Sequence, residues 1–588
     1  MESSENTALT RSQFWQQVNR STERLGFAAL LGFAVLVIAL YGGAFQHGWA
    51  YDDSQILKHA AKYSPWEYFF IPAAWKALVP FYLTPWLSLA YDVDLSLFGL
   101  NPWGFYGHNL LVLAGCGAAL FLLLRRWLTD GLAMMTSVLM LLGTPMATAS
   151  QQLMVRHYTE GLLFFLVGLL CFLRSLKASD TVGRWMVAGA LCFCIAVFSK
   201  ELFVPLGLLP LVMPADKFSM RWKRWWPWAV IFVLYWPWRT YMLGSAIGGA
   251  AIPLRQLLTD GWALAVPSLL KIPSLLLPSW AGWLALAVLL AGCVVAGVGR
   301  KWGVLGWAVV SVLLAVAPLM PLALIGSLAE DRFFVVLWVV VVVNLGVCLA
   351  ALLRLGVPPW LGYGAMALLA VAAWGRSAEV LKKLDQAMAV YQAHGDAVRH
   401  GTARDIVSVS DRLLPHFLPG MLDLRSVAGL VTDGPAVVSD EVELAAMALE
   451  GRRLLSYDNA TKAMFDASEQ SASLLADWRK RLSDVPFQAR ITYNGQAKTL
   501  DWAIDAPGAT KYFHIAGGAR TEIPPKFAIR VETRPEPCFW IRIDGPGPII
   551  RYTGLMGLPT TPDRPSVEVV WEQHASLLPE KVQCERMK

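Results

Sequence analysis

The chain has 588 residues, of which 56% are hydrophobic and only 16% charged, with a mean hydropathy of +0.47. It is too long for one ordinary domain and too apolar for a soluble enzyme. A net charge of +7 would suit nucleic acid, but the basic residues lie in short clusters between apolar runs. That is the positive-inside pattern of a polytopic membrane protein, and nucleic-acid binding is excluded.

Residues 1–25 are polar and carry Arg11, Arg20 and Arg24 ahead of the first apolar run, 26–44. That run is long enough to cross a bilayer and lacks a cleavage site, so it reads as a retained signal anchor with its N-terminus in the cytoplasm. Trp49-Ala50-Tyr51-Asp52-Asp53-Ser54 follows, placing two adjacent carboxylates where a membrane helix meets water. An ionisable pair at that depth marks a functional site, unless it merely caps a helix or opens a solvated loop. Residues 46–105 form a loop rich in Trp, Tyr and Pro, in which 65–75 and 81–97 read as helices lying in the outer interface. Asp92 and Asp94 read as the solvated face of the second.

Further crossings are expected at 106–124, 131–149, 158–173, 185–199, 202–214, 225–243, 279–299, 303–325, 333–353 and 359–375. The runs 185–199 and 202–214 are short and separated only by Lys200 and Glu201. Counting them separately gives about eleven spans. That count keeps Arg125-Arg126, Arg174, Lys177, Arg184, Lys217, Arg221, Lys223, Arg224, Arg300-Lys301 and Arg354 on the cytoplasmic side. It sends the C-terminal region outside.

From Arg376 the composition becomes that of a soluble domain. Amphipathic spacing at 380–391 and 442–455 makes 376–485 mainly helical. Residues 486–588 are β-rich, with strands expected at 489–493, 511–515, 527–532, 538–543 and 566–571 and turns at Asn494-Gly495 and Asp544-Gly545-Pro546-Gly547. A small β-sandwich is the expected outcome. Of the 8 Cys, Cys116, Cys171, Cys192, Cys194, Cys293 and Cys348 fall in apolar runs and read as small hydrophobes. Cys538 and Cys584 would lie in an oxidising compartment, where a disulfide between them would pin the tail to the sandwich. No His, Cys and carboxylate cluster has metal-ligand spacing, and a divalent ion bridging Asp52 and a phosphate stays open.

Four stretches resemble, in order, the GT-C glycosyltransferases, polytopic enzymes that take sugars from polyprenyl-phosphate carriers. Tyr51-Asp52-Asp53 resembles their acidic motif in the first outer loop. Leu97-Phe98-Gly99-Leu100-Asn101-Pro102-Trp103-Gly104-Phe105-Tyr106-Gly107-His108-Asn109-Leu110-Leu111 resembles the start of their second span. Ser199-Lys200-Glu201 with Pro205 and Pro210 resembles their Ser-Lys-Glu segment, and Glu330-Asp331-Arg332-Phe333-Phe334 the start of a late span. The protein O-mannosyltransferases, the lipid A aminoarabinose transferase and the cell-wall arabinosyltransferases share this architecture. Mannosyltransferase-type members often carry Asp-Glu where this chain has Asp-Asp, which leaves the sugar open.

The resemblance implies a transmembrane catalytic domain over 1–375 and a periplasmic α+β domain over 376–588, in a bacterial inner membrane. It implies inverting transfer from a polyprenyl phosphate to a protein such as a pilin, or to a glycolipid or polysaccharide. Asp52 would remove the acceptor proton, with Asp53 orienting it or binding the acceptor. Lys200 and Arg332 would meet the leaving phosphate, although Lys200 could instead pair with Glu201, and Arg332 with Asp331. Arg156 and His157 share that side and could touch phosphate or sugar. His108 and Asn109 would tie the outer loop to the bundle, and Glu201 and Asp331 would bind acceptor or sugar, or be structural. The competing class is a transporter or flippase for a lipid-linked saccharide. Such a protein should carry its charges at mid-membrane or in interrupted helices, whereas here they cluster at the outer ends.

Overall fold

A computed structural model describes residues 11–573 apart from 80–81, 178–181, 246–261, 300–301, 325–329, 410–413, 415–416, 428–433, 446, 448, 450, 484, 495–498, 516–518, 531–537, 555 and 558–567. Helices dominate as far as His400, and a mixed α/β region follows. Among the described residues seven helices are long and apolar enough to cross a membrane: Leu25–Gln46, Pro102–Leu124, Leu153–Lys177, Ser279–Val298, Gly303–Ala323, Asp331–Arg354 and Pro359–His400. An eighth crossing results if the bent pair Asp130–Leu141 and Thr144–Gln151 is one span. The chain is a multi-pass helical membrane protein.

Three expected crossings miss this measure. Gly183–Ser199 and Glu201–Val212 are apolar but short. The break between them is the extended backbone of Lys200 (φ −158°, ψ 138°), and Pro205 and Pro210 then divide the second stretch into short turns. Phe218–Leu243 is long, at 26 residues, but Trp, Tyr, Pro227, Pro237 and a basic first turn and a half dilute its apolarity. Polar contacts hold the bundle together around these stretches. At one end Trp127 Nε1 donates to the Pro214 carbonyl (3.0 Å), Arg354 to the Trp127 carbonyl (3.2 Å), and Arg125 pairs with Asp130 (2.8 Å). At the other end Arg239, near the end of Phe218–Leu243, pairs with Glu201 (2.9 Å).

The first outer loop is helical, with Asp53–Lys62, Pro65–Phe70, Pro72–Leu78 and Pro85–Phe98 in succession. Proline opens the last three because its fixed φ suits the first helical position and its missing N–H costs nothing there. The same chemistry splits the expected 65–75 helix at Ile71, since Pro72 cannot continue Pro65–Phe70.

The last span does not stop at the expected domain boundary. Pro359–His400 is one helix of 42 residues with residue 375 inside it. Beyond it, the helices of 376–485 (the end of Pro359–His400, Phe417–Val427, Glu441–Ala445 and Ser471–Arg481) are joined by a sheet that the sequence did not suggest. Strands Ala436–Val438, Asp405–Ser408, Arg453–Asp458 and Ala463–Asp466 form a sheet in that order, the first three parallel. Among the described residues of 442–455, the helix Glu441–Ala445 is followed by a turn at Gly451, whose φ is +71°, and by the strand Arg453–Asp458.

Two antiparallel sheets then face each other. One has the order Ile550–Tyr552, Cys538–Asp544, Thr510–Ile515, Ala519–Ile523; the other Glu568–Gln573, Gln488–Asn494, Thr499–Asp505, Lys526–Arg530. Ala489, Ile491, Trp502 and Ile504 from one share a core with Ile523, Ile541 and Ile543 from the other. The expected Cys538–Cys584 bond lies outside the described residues.

The bend between Asp130–Leu141 and Thr144–Gln151 is 56° and is filled by the Trp338 indole, whose Nε1 donates to the Met140 carbonyl (2.8 Å). A Cβ at Gly143 would lie 2.2 Å from that nitrogen. Gly143→Ala should therefore cost about 1–3 kcal/mol by overpacking. It should lower the unfolding temperature of the detergent-solubilised protein, while Gly282→Ala, with no atom within 4 Å of its new Cβ, should leave it unchanged.

Candidate active site

The acidic motif folds into a turn with an uncommon backbone. Tyr51 has φ +51°, a left-handed conformation that a side-chain-bearing residue adopts at a cost. The turn is closed by Asp53 N–H donating to the Ala50 carbonyl (3.0 Å) and Ala50 N–H donating to Asp53 Oδ2 (2.9 Å). The Asp52 carbonyl takes the first hydrogen bonds of Asp53–Lys62, from Gln55 and Ile56 (both 3.0 Å).

The two carboxylates consequently differ. Asp52 is exposed, whereas Asp53 is 1% exposed and also accepts from the Tyr91 hydroxyl (2.7 Å). Burial pushes the Asp53 carboxyl up to about 7, against the Tyr91 and Ala50 hydrogen bonds that pull it down. The turn thus directs one carboxylate outward and the other inward.

Beneath Asp53 lies a buried ionic network that the sequence did not reveal. The Arg156 guanidinium is 0% exposed. It sits over the Tyr91 ring (4.8 Å to the centroid), donates to Asp94 (2.5 Å), and contacts Glu160 (3.0 Å). His108 Nδ1 completes the network at 2.9 Å from Asp94. Burial works to raise the Asp94 carboxyl, but the His108 hydrogen bond and the Arg156 charge outweigh it and hold the group below its ordinary value. Asp94 is therefore not on a solvated face. Arg156, with both neighbours engaged inside the protein, is not placed to meet a donor phosphate.

His108 joins the outer loop to the bundle, whereas Asn109 joins bundle helices to one another. His108 bonds Asp94, and Asn109 donates to the Ala149 carbonyl (2.7 Å) and accepts from Thr159 (3.3 Å). Glu201 pairs with Arg239 and accepts from Leu83 N–H (3.1 Å). Asp331 is under the charges of Arg376 and Lys383 on the last helix rather than that of Arg332.

A second group of cations stands apart from this network. Lys200 lies over the rings of Tyr82 (4.2 Å) and Tyr158 (5.0 Å). Among the described residues no carboxylate lies within ion-pair distance of it, so the alternative pairing with Glu201 is not made. Arg332 pairs with Glu330 (2.5 Å) rather than Asp331 and remains one-fifth exposed. The charges of Lys200 and Arg332 both act on His157, which is buried with no well-formed hydrogen bond on either ring nitrogen. Asp52, Arg332 and Glu201 all act on Tyr82. The structure thus gathers Asp52, Lys200, Arg332 and His157 at one end of the bundle, with Tyr82 and Tyr158 between them. Among the described residues no group of three or more His, Cys, Asp or Glu is placed to hold a metal ion, and Asp53 is already committed to Tyr91 and Ala50.

Two outcomes follow from this division. Because folded Asp53 keeps a proton up to about 7 while the unfolded chain releases it near 3.8, this group's stabilising contribution is full below that lower value. It is lost as the pH rises through the upper one. Raising the pH from about 5 to about 8 should thus lower the wild-type unfolding temperature more than that of Asp53→Asn; parallel slopes would refute it. Arg156→Gln leaves Asp94 and Glu160 buried without their cation. It should cost roughly 3–5 kcal/mol of stability, with the donor affinity of the folded fraction unchanged in a binding assay.

No protein-family profile matches the chain. Over 180 residues it is 26% identical to the protein O-mannosyl-transferase TMTC2 of Mus musculus, and equally to that of Homo sapiens, a match that takes in 29% of this chain. It covers 22% of each of those proteins, so the chain spans about a fifth of the length of the relatives it matches. Among solved structures it is similar to ArnT from Cupriavidus metallidurans bound to undecaprenyl phosphate (14% identity, 74% of this chain and 93% of that one, TM-score 0.38). It is also similar to apo ArnT from that organism (15%, 73% and 94%, TM-score 0.30). A third is the Archaeoglobus fulgidus oligosaccharyltransferase in complex with Zn and sulfate (12%, 79% and 72%, TM-score 0.42). With its four ordered motifs and its O-mannosyl-transferase match, the chain is GT-C glycosyltransferase-like.

Proposed function

We propose that this protein is a membrane glycosyltransferase that moves a sugar from a polyprenyl-phosphate donor to an acceptor hydroxyl at the end of the bundle carrying Asp52. The observation that carries the proposal is the exposed Asp52 carboxylate sharing that end with Lys200, which has no carboxylate partner among the described residues, and with the one-fifth-exposed Arg332. The local match to an O-mannosyl-transferase supports the same class.

In the proposed reaction the acceptor oxygen bonds to the anomeric carbon, the bond from that carbon to the phosphate oxygen breaks, and the acceptor proton passes to Asp52. A single displacement of this kind inverts the anomeric centre. The departing polyprenyl phosphate gains a negative charge, which Lys200 and Arg332 meet from fixed positions. His157, buried beside them, offers an imidazole to the same anion. Tyr91 and Ala50 hold Asp53, which fixes the turn presenting Asp52.

This reading puts the Asp52 end outside the cytoplasm. Arg125, Arg221 and Arg354 cluster with Trp127 and Pro214 at the opposite end, as the positive-inside rule asks of the cytoplasmic side. Eleven crossings, with Gly183–Ser199, Glu201–Val212 and Phe218–Leu243 among them, satisfy that orientation. They place the region after residue 375 on the outer side of a bacterial inner membrane, within reach of a protein or glycolipid acceptor.

The test is transfer from a synthetic polyprenyl-phosphate sugar by the purified protein. Asp52→Asn should lower turnover by ~10²–10⁴ with donor binding retained. Lys200→Ala and Arg332→Ala should weaken donor binding instead. A flippase would show transbilayer movement of the lipid without transfer, and near-normal turnover in Asp52→Asn would remove Asp52 as the base.

A further inference from the structure

The left-handed turn at Tyr51 needs something to hold it, because a residue with a Cβ pays for that conformation unless its surroundings fix it. The structure supplies the hold from far along the chain. The Tyr51 ring packs on that of Tyr391 with centroids 4.6 Å apart, and Phe417 meets Tyr391 edge-on at 5.0 Å. Tyr391 is 1% exposed, so this stack is enclosed rather than a surface contact.

The contacts around it repeat the connection. Ser54 Oγ donates to the Phe417 carbonyl (2.8 Å), Lys58 pairs with Asp423, and His47 lies 3.2 Å from Asp385. A Cβ at Gly420 would lie 2.3 Å from Ser54 Oγ, so the helix Phe417–Val427 approaches Asp53–Lys62 as closely as a glycine permits. Each contact runs from the acidic motif, its helix or His47 just before them to the last long helix or the segment after it. None of these partners is within the bundle proper.

We infer that Tyr391 is a positioning residue for the acidic motif: its ring, backed by Phe417, holds Tyr51 in the left-handed turn and thereby aims the Asp52 carboxylate. The region beyond residue 375 then completes the site instead of serving only as an appended module. The catalytic half of this inference rests on Asp52 acting as the base. The structural half stands without it.

The experiment compares wild type, Tyr391→Phe and Tyr391→Leu by amide hydrogen exchange and by transfer kinetics on the full chain. Tyr391→Phe keeps the ring and should match wild type. Tyr391→Leu should raise exchange at residues 50–56, where Asp53 and Ile56 N–H groups close the turn and start the helix. Its kcat should fall about 10–100-fold, as expected for a small misplacement of a reacting group, with the donor KM little changed. Wild-type exchange at 50–56 in Tyr391→Leu would overturn the inference whatever the activity. A rise spread equally over Pro102–Leu124 and Asp331–Arg354 would reduce Tyr391 to ordinary packing and overturn it too. Raised exchange with an unchanged kcat would show that the turn does not aim the base. If wild type itself transfers no sugar, the glycosyltransferase reading fails, and exchange alone decides whether Tyr391 holds the turn.

Discussion

A guanidinium with no access to water, as at Arg156, is tolerable only when its charge is answered on several sides. Asp94, Glu160 and the face of Tyr91 supply those answers, and each comes from a different direction. Asp94 and Tyr91 belong to the outer helix Pro85–Phe98, whereas Arg156 and Glu160 open the membrane helix Arg156–Lys177. The pair therefore welds the outer loop onto the bundle. Tyr91 carries the weld one step further, because its hydroxyl donates to Asp53. The orientation of the acidic motif thus depends on a cation that never meets solvent.

That arrangement divides labour among charged groups that look equivalent in the sequence. Asp53, Asp94, Glu160, Arg156, Glu201 and Arg239 are spent on holding helices together in places where an unpaired charge would be costly. Asp52, Lys200 and Arg332 are the groups left facing the open end. Lys200 is held by aromatic faces rather than by a carboxylate. Cation–π contact restrains an ammonium while leaving its charge unneutralised.

Much of this was legible in the sequence because it follows from hydropathy and local motifs. The long apolar runs and the strands at 489–493, 511–515 and 538–543 could be read directly from apolar length and period-two alternation. What escaped was set by tertiary contact. Arg156 has one local partner, Glu160 four residues on, but its second, Asp94, arrives from another helix and left no local signal. Spacing over 442–455 imitated a helix, but the chain turns at Gly451 and continues as a strand beside Asp405–Ser408. Tyr82, Tyr158 and Tyr391 carried no signal because an aromatic in an apolar segment is ordinarily packing.

The helix Pro359–His400 has a geometric consequence of its own. At 1.5 Å per residue its 42 residues run roughly 63 Å without a break. Tyr363 near its start touches Thr129 at the Arg125–Asp130 end, and Tyr391 near its finish touches Tyr51. A helix turns about 100° per residue, so the angular phase between these two tyrosines is set by the number of residues separating them. Adding or removing one residue would leave each contact chemically intact yet rotate one off its partner. The spacing along this helix therefore acts as a gauge: the chain length between two distant faces, as much as any side chain, fixes how the outer region is registered on the membrane bundle.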